Sequence, residues 1–266
     1  MNAPPTPDTF DRAAASYDET FEALPGTARV RRIVHTLLLR HFHPGDTILE
    51  LNAGTGTDAV RLASHEIRVH ATDASPAMIR ETLRKVDAHG FGNLVTTQLL
   101  AFDGVASLKG HLYDGVLSDM GGLNCVQDMT PLLWTLKDLV RPGGYLVLCF
   151  MPDCSLWDTF AFGLRGDWRN ARRRRNPNGC LASVEGAAVR TYYHSPRKVV
   201  RACLPGLVHV STTGLNFFTP PPSSVGAYRR LRRVLPLLER LEDLFAPYPP
   251  FNAMGDHAAV VLRRAQ

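Results

Sequence analysis

Lysine is nearly absent. Of 30 basic residues among 266, only Lys85, Lys109, Lys137 and Lys198 are lysines, and the net charge is +5. A surplus of arginine can signal nucleic acid or acidic lipid, but here the arginines are spread along the chain and read as solvated surface. Long apolar runs are missing too. The longest, Tyr145–Met151, falls far short of the roughly 20 residues that cross a bilayer. The first ten residues, "MNAPPTPDTF", lack a basic region followed by an apolar one, so no secretory signal is expected. The five cysteines, at 125, 149, 154, 180 and 203, form no CxxC pair. That excludes zinc-ribbon spacing and a disulfide framework, and fits reduced thiols in a cytoplasmic protein. The ten histidines are scattered, so no metal site is expected.

What the chain does have is alternation. A Pro-rich start (2–8) reads as a loose tail. Residues 10–24 read as a helix broken at Pro25-Gly26, and 27–42 as a second helix with apolar residues at helical spacing. A strand at 47–52 follows. Helices at about 57–65, 76–89 and 128–140 then alternate with strands at 67–73, 94–101, 113–120 and 145–151. Such a rhythm implies a parallel sheet with helices on both faces. After residue 151 the rhythm fails, so 152–205 is expected to be an insertion, a lid or substrate cap. Strands at 208–218 and 255–264 resume the pattern. Between them, 225–246 reads as an amphipathic helix, broken or kinked near Pro236.

The stretch "ILELNAGTG" (48–56) runs from a strand into a loop of small residues. Gly54 and Gly56 allow close approach of backbone to a ligand. Asn52 stands where a first glycine is usual. Asn is the best non-glycine residue for a left-handed position, so it does not disqualify the turn. "GTGTDA" (54–59) also matches a dinucleotide motif, with Asp73 as the acid beyond the second strand. Three features oppose a nicotinamide cofactor: two helices precede the first strand, Glu50 would face a pyrophosphate, and a further acid, Asp103, follows the third strand. A cationic ligand with an amine, a ribose and an adenine would use all three acids.

Taken together, "ILELNAGTGTDAVRLA", "HATDASPAMI" (70–79), "LLAFDG" (99–104), "YDGVLSDMGGLN" (113–124) and "LVRPGGYLVL" (139–148), in that order, resemble the class I S-adenosylmethionine-dependent methyltransferases of small-molecule type. "FDRAAASYDETF" resembles their N-terminal cap helix. The resemblance covers about 10–151 and departs at Asn52. It implies a Rossmann-like, mostly parallel seven-stranded sheet, an N-terminal helical cap (10–42), a cofactor-binding core (47–151) and the insertion after the fifth strand, all in one domain. It also implies S-adenosyl-L-methionine as cofactor. Glu50 with the backbone of Asn52, Ala53, Gly54 and Gly56 would hold the methionine moiety, and Tyr17 would close over its carboxylate. Asp73 would bind the ribose, with Ala74, Ser75 and Met78 around the adenosine. Phe102 and Asp103 would flank the adenine. Ser118, Asp119, Met120 and Gly121 would border the sulfonium and methyl. Asp73 and Asp103 could instead cap the helices that follow them.

Methyl transfer is an in-line displacement in which alignment supplies much of the rate, worth roughly 7–11 kcal/mol in well-oriented cases. A base is needed only if the nucleophile must lose a proton. His194, in "TYYHSP", is the candidate, set against a plain loop residue. The exit of the strand at 113–120, "SDMGG", carries neither the Asn/Asp-Pro-Pro-aromatic signature of base-nitrogen methylation nor a Pro-Cys nucleophile, which argues against nucleic acid. "RRRR" (172–175) reads as a solvated helix face or as a contact for an anionic acceptor. Leu156, Trp157, Phe160 and Phe162 point to a hydrophobic pocket, or to ordinary core. The expected function is methyl transfer to a small-molecule acceptor. Two alternatives stay open: a binder of the cofactor without transfer, and a lipid or quinone methyltransferase touching a membrane surface through 225–246.

Overall fold

The computed structural model describes residues 7–184, 187–203 and 206–266; most of the Pro-rich tail lies outside them. Every strand expected between 47 and 151 is present: β1 (Thr47–Leu51), β2 (Arg68–Asp73), β3 (Val95–Leu99), β4 (Tyr113–Ser118) and β5 (Val140–Phe150). They pair in parallel. A small antiparallel hairpin, β6 (Cys180–Val184) and β7 (Ala187–Thr191), stands apart. β8 (Leu207–Leu215) and β9 (His257–Arg264) complete a seven-stranded sheet of order β3-β2-β1-β4-β5-β9-β8. β9 is antiparallel to both neighbours. β5 starts five residues earlier than the sequence pattern suggests. Val140 already pairs with Tyr113, and Pro142-Gly143-Gly144 bulges out before Tyr145 meets Gly115.

Both faces are covered, which is why the inner strands bury apolar residues on both sides. On one face, Ile48, Val69, Leu117, Val147 and Val261 pack against α2 (Pro25–His41), α3 (Thr57–Ala63) and α4 (Pro76–Ala88). On the other, Leu49, Val116, Leu146, Leu148 and Leu262 pack against α5 (Thr130–Leu139) and α8 (Pro196–Ala202). Alternate residues of one strand thus serve two cores. α1 (Pro7–Ala13) and a π-helical turn, Asp18–Glu22, precede α2.

One expectation needs correction here, and the break expected near Pro236 is present. Pro25 and Gly26 open α2 rather than closing the helix before it. Proline is suited to a first helical turn, where its missing N–H is not needed. Gly26 is required there because a Cβ would lie 2.6 Å from the Pro222 backbone. The 225–246 segment is two helices, α9 (Val225–Leu231) and α10 (Leu235–Phe245), with Pro236 in the first turn of the second.

α10 is held by one carboxylate. Glu242, 1% exposed, accepts hydrogen bonds from the backbone N–H groups of Asn216, Phe217, Phe218 and Thr219, at 2.9–3.0 Å. Arg29 of α2 pairs with it at 3.4 Å. The exit of β8, the C-terminal helix and the N-terminal cap are thereby tied at one point.

Residues 152–205 contain α6 (Leu156–Gly163), α7 (Trp168–Ala171), the hairpin and α8. Leu156, Trp157 and Phe162 are half-buried and Phe160 is exposed. The arginine run is not a solvated face throughout. Arg174 is 5% exposed, bonds Asp158 (2.9 Å) and Asp256 (2.5 Å), and stacks over the Tyr193 ring. Arg173 joins it on Asp158 at 2.9 Å. Paired charges of this kind hide from a reading by composition, because their partners lie elsewhere in the chain.

Candidate active site

Strand order reverses between β1 and β4: from β1 the chain moves outward to β2 and β3, then returns to β4 on the other side. Ligands of such sheets bind beyond the carboxyl ends of the strands at this switch. The structure brings the β1 loop, the end of β2 and the exit of β4 together there.

The β1 loop carries three left-handed residues, Asn52 (φ 48°), Gly54 (φ 56°) and Gly56 (φ 77°). Asn52 does occupy the conformation that made it acceptable in place of glycine. Its side chain is a strut: Nδ2 donates to the Asp119 carbonyl at 2.9 Å, and Oδ1 accepts from Ser118 Oγ at 2.5 Å. The two loops that flank the switch are thus stapled. The glycines serve different ends. A Cβ at Gly56 would lie 2.6 Å from Thr82 of α4, whereas one at Gly54 would enter open space. Gly56 is a packing requirement, and Gly54 offers bare backbone to whatever lies above it.

Asp73 governs the loop's shape. Its carboxylate accepts from Gly54 N and Ser75 N, both at 2.9 Å. Burial raises its pKa, and those two backbone donors act the other way. Ser75 caps α4, accepting from Met78 N (3.1 Å) and donating to Asp11 (2.5 Å). Met78 is buried among Ala14 and Ala77, beneath Phe10 and Tyr17. Asp18 reaches across from the cap to Thr55 (2.6 Å) and Lys85 (2.7 Å). The cap therefore sits over the β2 side of the site. Phe102 is half-buried and Asp103 exposed, at the start of a short 3₁₀ helix, Phe102–Leu108. Cys125 lies near Asp73; burial first and that carboxylate second push its thiol up to about 11.

The charges beneath the loop are unbalanced. Glu50 and Asp119 are both buried, and among the described residues Glu50 Oε2 and Asp119 Oδ2 have no hydrogen-bond partner. Asp58 binds Arg31 and His35 at 2.5 Å each. Arg31 stands 3.7 Å from Asp119. Burial, then the charge of Asp58, drives the Glu50 pKa well above the ordinary carboxylate range, and Asp119 rises for the same two reasons. Buried carboxylates without partners are costly. They fit a ligand that brings fixed positive charge next to an amide-lined loop. At the exit of β4, Met120 (φ 53°) and Gly121 (φ 79°) are left-handed as well, so this turn also presents backbone to the cleft.

Residues 49–146 match the family model of a methyltransferase domain. That stretch is a methyltransferase domain. Over 143 residues the chain is 32% identical to a demethylmenaquinone methyltransferase of Beutenbergia cavernae, covering 52% of this chain and 55% of that one. It spans about half the length of such curated relatives. Its fold is shared with the CcbJ methyltransferase of Streptomyces caelestis (TM-score 0.61, 20% identity, 97% and 98% of the two chains). It is shared equally with the N-methyltransferase NodS of Bradyrhizobium japonicum in complex with S-adenosyl-L-homocysteine (TM-score 0.59, 14% identity, 97% and 98%). Among the described residues no helix is long and apolar enough to cross a membrane.

His194 is not at the switch point. It lies just past the hairpin, bridged to Pro152, with its ring edge-on to Phe150. Burial lowers its pKa, and the carbonyls of Leu123 and Val126 oppose that. It lines a cavity of about 550 Å³ with Asp128, Asp153, Arg174, Tyr193 and Lys198. Several site residues escaped the sequence reading. Asp11, Asp18, Arg31, His35 and Asp58 act through partners at least 23 positions away, and local periodicity carries no trace of such pairs. Asp58, directly behind the glycine loop, was the nearest to a signal.

Proposed function

We propose that this protein transfers a methyl group from S-adenosylmethionine to a small-molecule acceptor that enters from the side of residues 152–205. Glu50 Oε2, buried without a hydrogen-bond partner among the described residues, and Asp119 Oδ2, approached by Arg31 at 3.7 Å without a hydrogen bond, carry this reading: they lie where a donor bearing both an ammonium and a sulfonium would neutralise them. The donor supplies a methyl already activated for displacement. The chain's own residues do the rest. Glu50 and the amides of Asn52–Gly56 hold the methionine end, and Tyr17 with the cap shields it from water. Asp73 bonds the ribose hydroxyls while keeping Gly54 in place. Phe102 and Asp103 flank the adenine, with Ala74, Ser75 and Met78 beneath the adenosine. Ser118–Gly121 border the reacting carbon. With the loops fixed, catalysis rests on alignment. The cavity beside His194 is the acceptor's path, and Arg175 and Lys198 on its wall suit an anionic group on it.

A quinone or lipid acceptor is a second reading. Arg229, Arg230, Arg232 and Arg233 precede a run in which Val234, Leu237, Leu241 and Leu244 are exposed, and such a surface suits an acidic interface. Calorimetric titration with S-adenosylmethionine, followed by assay of S-adenosylhomocysteine release across phenols, amines, carboxylates and demethylated quinones, tests the proposal. Binding that Asp73→Ala weakens at least tenfold, with turnover of one acceptor, is expected. Absence of binding, or binding indifferent to both Asp73→Ala and Asp103→Ala, would refute it.

A further inference from the structure

Because β9 runs against its neighbours, its first residue arrives at the edge where β4 and β5 end. That residue is His257, paired in register with Leu215 and 5% exposed. Its Nε2 lies 3.6 Å from the position a Cβ would take on Gly121, beside the left-handed turn that leaves β4. No hydrogen-bond partner for Nε2 exists among the described residues. Its Nδ1 is 3.1 Å from Asp256 Oδ2, within ion-pair reach, but has no hydrogen-bond partner among the described residues.

Asp256 is itself immobilised. Arg174 bonds its other oxygen at 2.5 Å and its carbonyl at 3.1 Å, and its N–H donates to the Asn216 carbonyl at 3.1 Å. The charged groups around the imidazole are therefore Asp256 at Nδ1 and Arg174 behind it. On the Nε2 side Gly121, Asn124 and Met151 are neutral. Asn124 fixes that side, accepting from Met151 N at 2.8 Å and donating to the carbonyls of Met151 and Tyr192 at 2.9 and 2.6 Å. An imidazole that faces a buried carboxylate at 3.1 Å on one nitrogen and the cleft on the other can serve as a general base, the carboxylate steadying the imidazolium as it forms. The other titratable groups nearby are worse placed. His194 Nε2 is buried without a partner, and Cys125 holds its proton.

We propose that His257 is the catalytic base of the transfer, with Asp256 its positioning residue; this rests on the methyltransferase reading above. The acceptor class it implies is a phenolic or enolic hydroxyl. The hydroxyl proton passes to Nε2 as an oxygen lone pair forms the new O–CH₃ bond. The S–CH₃ bond breaks with its electron pair going to sulfur, which leaves as a neutral thioether. The imidazolium, facing Asp256, then returns the proton to water. Arg174 makes the insertion part of this device, since it fixes the carboxylate that orients the ring.

The experiment combines three measurements on the full chain. First, donor affinity of His257→Gln is measured by calorimetry and should match the wild type. Second, with a hydroxyl acceptor, kcat of His257→Gln should fall at least 100-fold with acceptor KM within a few-fold, and the acidic limb of the kcat profile should vanish. Asp256→Asn should move that limb to lower pH without changing donor affinity. Third, the labelled imidazole resonances of His257 should shift when S-adenosylhomocysteine is added, and shift by a different amount with S-adenosylmethionine. Resonances that ignore both ligands, or a His257→Gln enzyme within threefold of wild-type kcat that keeps its acidic limb, would overturn the proposal. Failure of the wild type to bind the donor would instead overturn the methyltransferase reading itself.

Discussion

Asn52 offers the sharpest test of the loop. It combines a left-handed backbone (φ 48°) with two hydrogen bonds to the β4 exit, at 2.9 and 2.5 Å. Substitution separates the two. Asn52→Ala loses both bonds, worth about 1 kcal/mol each, and forces a Cβ-bearing residue without Asn's local polar bonds to stay left-handed, a further roughly 1–2 kcal/mol. The sum is about 3–4 kcal/mol. Asn52→Gly loses the same bonds but accepts the conformation freely; its added chain entropy brings its cost to about 2–3 kcal/mol. Thermal unfolding should therefore drop by roughly 6–16 °C for alanine and a few degrees less for glycine, at about 2–4 °C per kcal/mol for a chain of this size. Donor affinity should weaken in both, because Asp119–Gly121 loses its anchor. A glycine variant as stable as the wild type would show that the strut contributes nothing, though glycine is the residue usual at this place. An alanine variant no worse than glycine would refute the conformational part.

Glu50→Gln should raise stability near neutral pH while weakening donor binding tenfold or more. The folded Glu50 pKa is raised by burial, so its stabilising contribution is complete below the ordinary carboxylate value and lost as pH rises through the folded one; the gain from Gln should disappear in acid. Denaturation at several pH values, with calorimetry alongside, decides it, and a variant that is less stable at neutral pH would contradict the unbalanced-charge argument. Gly54→Ala should cost roughly 1–2 kcal/mol in stability but abolish measurable donor binding. Gly56→Ala, meeting Thr82 at 2.6 Å, should unfold at markedly lower denaturant; equal midpoints would deny the division of labour. Glu242→Ala, which leaves Arg29 buried opposite four vacated N–H groups, should cost about 3–5 kcal/mol, read from urea midpoints; a change under 1 kcal/mol would remove the knot from the account.

The alternating core was legible because each strand and helix between 47 and 150 declares itself within a window of ten or so residues. Asn52 was legible for a similar reason, since left-handed tolerance is a property of one residue. What escaped depends on distant partners. Arg174 looks like surface until Asp158 and Asp256 arrive beside it. His257 looks like the first residue of a closing strand, and only the antiparallel return of β9 carries it to Gly121. Pro25 was misread as a stop signal, although proline near a helix terminus can equally mark a beginning.

The placement of β9 has a consequence for how the molecule is made. β8 pairs with β9 alone in the sheet, yet some forty residues separate the two in the chain. Until His257–Arg264 has left the ribosome, β8 has no ladder to join and the outer edge of β5 stays bare. The donor half can assemble early, from contacts near in sequence. The imidazole proposed to take the acceptor's proton enters only when the final strand slides between two waiting ones, so readiness to bind and readiness to react are acquired at different moments of synthesis.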